Sequence, residues 1–100
     1  MEEAEQLIKE AEADVTSTSD EAMRLMNRFG SDALLLDFVS TANQCKNKIS
    51  LMQLRLVQLR NKASSDSRNT DLQILLVEAK ALKTETGRFK EIVGEIGRND

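Results

Sequence analysis

The stretch EADVTSTSDEAM, Glu12 to Met23, places four consecutive hydroxyl residues, Thr16 to Ser19, inside a run that otherwise favours helix. Serine and threonine side chains compete for backbone hydrogen bonds and weaken helix interiors. Thr18-x-x-Glu21 also has the form of a capping box, which would start a new helix there. Hydrophobic spacing decides between a break and a continuous helix. Ala4, Ile8, Ala11, Val15, Thr18, Ala22, Leu25 and Phe29 alternate steps of four and three, and the phase crosses TSTSD without slipping. A break has no reason to preserve that phase. The spacing therefore predicts one helix over about 3–29, weakened at Thr16–Ser19, with the capping box as the alternative.

Outward from this segment the same pattern recurs twice. Gly30 can take the left-handed backbone that ends a helix, and Ser31 can cap the next one. Leu35, Phe38, Ala42, Cys45, Ile49, Met52, Leu56, Leu59 and Ala63 then form a second seam, predicting a helix over about 32–63. SSDSRNTD, residues 64–71, has no apolar member and reads as a loop, with Thr70-x-x-Gln73 as a capping box for the third helix. The third seam is Leu72, Leu75, Ala79, Leu82, Thr86, Phe89, Val93 and Ile96, a helix over about 71–96 stopped by Gly97.

Three helices of similar length with short connections make antiparallel neighbours. The expected fold is all-α: one domain over 1–100, an elongated antiparallel three-helix bundle, up-down-up, with coiled-coil-like heptad packing. Folding the first two helices about Gly30 brings together positions whose numbers sum to about 60: Leu25 with Leu35, Ala22 with Phe38, Ala11 with Ile49, Ala4 with Leu56. Small residues meet large ones in three of these pairs, which fills layers without voids. The same register sets Asp14 beside Lys48 and Glu12 beside Lys46. Charge agrees with such pairing: residues 1–30 carry −5, 31–63 carry +3 and 64–100 carry −1. With no basic tract and no interleaved aromatic residues, this distribution argues against a nucleic-acid surface.

Catalytic chemistry finds little to work with. The chain has no histidine, no tyrosine and a single cysteine that falls on the second seam. Missing histidine removes the commonest general base, the Ser-His and Cys-His nucleophile arrangements and the histidine-bearing zinc sites. No phosphate-binding glycine motif occurs. Glu2, Glu3 and Glu5 suit the positive end of a helix dipole better than a cation. Met23 and Met26 read as core edge. No catalytic residue, cofactor or metal is expected. An acidic N-terminus and the lack of a long apolar run point to a soluble cytoplasmic chain with no direct membrane insertion, specialised export aside.

Two features exceed what a bundle needs. Gly87 and Gly94 sit one heptad apart inside the third helix, marking either a close approach by another backbone or a helix prone to fray. Leu51, Leu54 and Val57 on the second helix, with Ile74 and Val77 on the third, lie off the seams near one end of the rod. Leu34, Val39 and Leu76 are absorbed by the wider faces of a three-helix core. The five remaining apolar residues are the expected partner-binding site. They point to a non-catalytic helical interaction module, an adaptor, coiled-coil subunit or chaperone-like holder, that binds an amphipathic helix or a second copy of itself. Alternatives are a self-assembling subunit of filament, rod or needle type, and a regulatory three-helix bundle of membrane trafficking or cytoskeletal tethering, by analogy of architecture.

Overall fold

A computed structural model describes residues 2–30, 32–61 and 65–98, with the side chains of 65–67 left aside. Three helices pack against one another: α1, Glu2–Phe29, α2, Ala33–Arg60, and α3, Ser65–Arg98. Among the described residues there is no strand. The rod measures 53 × 18 × 15 Å, and the order is up-down-up as the heptads require.

α1 runs unbroken through Thr16–Ser19. Thr18 is not a cap: its hydroxyl donates to the Asp14 carbonyl one turn back, 2.8 Å away, and is spent inside the helix. Thr18 and Ser19 are buried, whereas Thr16 and Ser17 face solvent. Thr86 of α3 is also buried and donates to the Lys83 carbonyl at 3.2 Å. These hydroxyls lie between two apolar clusters. The larger is built around Ile8, Val15, Ile49, Leu56, Leu75 and Leu82, the smaller around Leu25, Leu35, Phe38 and Val93. Phe89 meets Phe38 edge to face, ring centroids 6.2 Å apart. Burial of the seams is the main favourable term, at about 25 cal/mol per Å² of apolar surface removed from water.

Gly30 has φ of +89°, ending α1 in the left-handed conformation expected of it. The cap of α2 is Asp32, whose Oδ1 accepts from the Leu34 N–H at 2.8 Å; Ser31 lies outside the described residues, as does Ala63. Phe29, placed on the first seam by spacing, is exposed. Leu25, in one cluster with Leu35, is the last buried layer of α1, and the final turn rises past it.

The polar stretch 64–71 differs from expectation. Ser64 is outside the described residues, but Ser65–Asp71 form the first turns of α3, so Thr70 sits inside a helix and starts none. α3 has 34 residues against 28 in each of the others, and at about 1.5 Å per residue it spans nearly the whole rod. Among the described side chains of its polar start, 68–71, none belongs to either apolar cluster. At the other end α3 continues through Gly97 to Arg98. Gly97 is therefore not the expected stop; a Cβ there would lie 2.7 Å from Glu21 Oε1, the tip of a flexible side chain, and at ordinary contact distance, 3.7 Å, from Leu25.

Candidate protein interface

Each helix of a three-helix bundle has two flanks, one for each neighbour, and the flanks divide the charged residues. On α1, Glu5 pairs with Arg60 at 2.7 Å and Glu12 accepts from Gln53 at 2.9 Å, both on α2. Facing α3, Glu3 lies 3.7 Å from Lys80, while Asp14 lies 3.3 Å from Lys83 and 3.6 Å from Lys90. The acidic helix therefore meets bases on both sides, but not through Asp14–Lys48 or Glu12–Lys46. Position 14 falls on the α3 flank, and Glu12 reaches further along α2. The seam register itself is as expected, since Val15, Cys45, Thr18 and Ala42 line one small void.

Gly87 lies opposite Asp14, where its Cβ would be 3.8 Å from Oδ2, between the turns that carry Lys83 and Lys90. Gly94 has nothing within 4 Å of that position. Among the described residues of this chain, no backbone atom of another helix comes within 4 Å of a Cβ at either position. Cys45 is buried; burial pushes its thiol above the ordinary range, the Glu85 carboxylate adds to the rise, and Lys48 partly offsets it. Glu21 is held below the usual carboxylate range by its hydrogen bond from Arg24.

All five residues of the sequence-derived site are exposed: Leu51 58%, Leu54 54%, Val57 50%, Ile74 53% and Val77 68%. They do not form one patch. Leu51 and Ile74 line the trough between α2 and α3; Leu54 and Val77 follow them at i+3, which sets each on the outer side of its helix, the crest beside the trough, exposed and lining neither groove. Val57 is turned away, because it shares a helix face with Gln53 and Arg60, which bond to α1. It stands apart from the other four, which is legible only once the flanks of α2 are assigned.

The trough itself consists of two adjoining grooves. One of about 330 Å³ is lined by Gln58, Leu59, Asp71, Ile74 and Leu75, the other, of about 310 Å³, by Lys48, Leu51, Met52, Ala81, Leu82 and Glu85. The Arg55–Glu78 ion pair bridges them. Its α2 wall is basic, Lys48 and Arg55, and its α3 wall acidic, Asp71, Glu78 and Glu85, each series at intervals of seven. Spacing by heptads keeps these charges on one edge of each helix, as at the flanks of a coiled-coil seam. A search of the sequence for surplus apolar residues alone passes over these walls.

Other expectations fall elsewhere. Leu34 is exposed, since the register of Arg55 with Glu78 sets it level with the end of α3, whereas Val39 and Leu76 pack against the core. Met26 packs on the smaller cluster, but Met23 is exposed. Among the described residues no group of acidic or cysteine side chains converges to hold a metal ion, and no helix is long and apolar enough to cross a membrane. In comparisons with known proteins, no family model, no curated protein and no solved structure matches this chain.

Proposed function

We propose that this chain is a non-catalytic helical interaction module of the cytoplasm, whose working surface is the α2–α3 face. The single observation that supports it most is the conjunction of exposed Leu51, Leu54, Ile74 and Val77 with two oppositely charged walls in heptad register. Apolar residues on either side of a line of charged pairs suit a docked helix: the apolar rims supply affinity and the charges between them supply register. A reactive role has no comparable support, the chain having neither histidine nor tyrosine and its one thiol being buried.

The test is the double variant Leu54→Glu/Val77→Glu, compared with the parent by urea unfolding in dilute solution and by binding of a hydrophobic dye. Both residues are exposed on the crests, so unfolding free energy should stay within about 0.5 kcal/mol of the parent while dye binding falls. A loss of several kcal/mol would make these residues part of the fold and remove the surface.

A further inference from the structure

We propose that the occupant of the α2–α3 trough is a second copy of this chain, docked in parallel with the two-fold axis along the rod. The proposal rests on the interaction-module reading and adds the partner. Arg55 and Glu78 stand at one level of the trough, joined across it. In the antiparallel α2–α3 register which that pair defines, Lys48 and Glu85 stand at one level a heptad further on, both lining the second groove. Each level thus presents a base on the α2 wall and an acid on the α3 wall.

Two-fold symmetry allows two ways of laying trough on trough. With the axis along the rod, α2 of each copy faces α3 of the other at equal height. Arg55 then meets Glu78 of the second copy and Lys48 meets Glu85, so the four charges at each level alternate in sign around the square. With the axis across the rod, α2 faces α2 and α3 faces α3. Base then meets base and acid meets acid, an arrangement that like-charge repulsion disfavours. The crests Leu54 and Val77 and the trough residues Leu51, Ile74 and Ala81 are apolar in either case, so the charge pattern selects the parallel form.

The surface is small. From Lys48 to Leu59 the trough is about 17 Å long, on a rod 18 Å wide. Such a patch buries less than a standard stable interface and belongs with weak, reversible pairs. Association should therefore appear only at high protein concentration, in the range of about 0.1–1 mM.

Sedimentation equilibrium over 10 µM to 2 mM gives the mass. Spin labels at Asn27→Cys, in a Cys45→Ala background, report the arrangement in the same solutions. Asn27 is exposed near the Gly30 end of α1, so a parallel pair holds two labels within roughly the combined width of two rods. An antiparallel pair centred on the trough separates them by about 60 Å, from some 21 residues of helix on each side. The expected result is a concentration-dependent dimer with the short distance. Arg55→Glu alone should weaken it tenfold or more, and mixing that variant with Glu78→Arg should restore it. Melting of each variant in dilute solution confirms that it folds. A monomer throughout would overturn the proposal, as would a dimer with the long distance or one strengthened by Arg55→Glu. If the monomer result comes while Leu54→Glu/Val77→Glu still folds and loses dye binding, the module reading stands and its partner is foreign. If that double variant unfolds, the module reading itself fails.

Discussion

Gly87, Gly94 and Gly97 have the same residue type and three different surroundings, which separates backbone cost from packing need. None has positive φ, so alanine fits the backbone at each, and in a helix interior it is worth up to about 1 kcal/mol over glycine. Gly94 has open space around a new Cβ and Gly87 an ordinary contact at 3.8 Å. Gly94→Ala and Gly87→Ala should each raise unfolding free energy by about 0.5–1 kcal/mol. Gly97→Ala must displace the Glu21 carboxylate from 2.7 Å and should gain less than either. Urea titration checks the order, and an equal gain at all three would mean that the Glu21 side chain moves aside at no cost. Cys45 offers a pH test. Its folded thiol ionises above its ordinary value, so its contribution to stability is complete below about pH 8.5, where the unfolded thiol begins to ionise. That contribution declines as pH rises toward the folded value. Stability should fall more steeply between pH 8 and 10 in the parent than in Cys45→Ala; equal slopes would contradict the assigned burial effect.

At the scale of the helix, the seams were legible because a 3-4 spacing carried over 25 residues has one physical meaning, a stripe held against a partner. Thr18 on that stripe is buried, and the phase identified α1 as continuous where local propensity favoured a break. Ser65–Asp71 were illegible for the converse reason. The absence of apolar residues says that a segment adds nothing to the apolar core, and that holds for a polar helix end as well as for a loop: Arg68 and Asp71 are only half-buried and Asn69 and Thr70 are exposed. Ion pairs were only half legible, since a position beside the seam can face either neighbour: Asp14 went to α3 and Glu12 to α2. Division of labour within TSTS gives a prediction. Thr16 and Ser17 are exposed in the helix, so Thr16→Ala and Ser17→Ala should each stabilise by roughly 0.5 kcal/mol through helix propensity alone. Loss of stability in either, measured by urea unfolding, would show that these hydroxyls have a structural role that the fold does not reveal.

For the molecule as a whole, the bundle closes its seams on three helices and still presents an apolar trough between two of them. Four of the five residues singled out by sequence line or flank that trough; Val57 does not, because counting residues off the seam does not tell which flank they occupy. This gives the central claim an internal control. The measurement that tests it most directly is a dilution series followed by methyl NMR of leucine, isoleucine and valine. Concentration-dependent shifts are expected at Leu51, Leu54, Ile74 and Val77, with Val57 and the buried methyls of Leu25, Val15 and Val93 unchanged. Shifts spread through the buried methyls, or confined to Val57 and its flank, would contradict it and place any association on another surface.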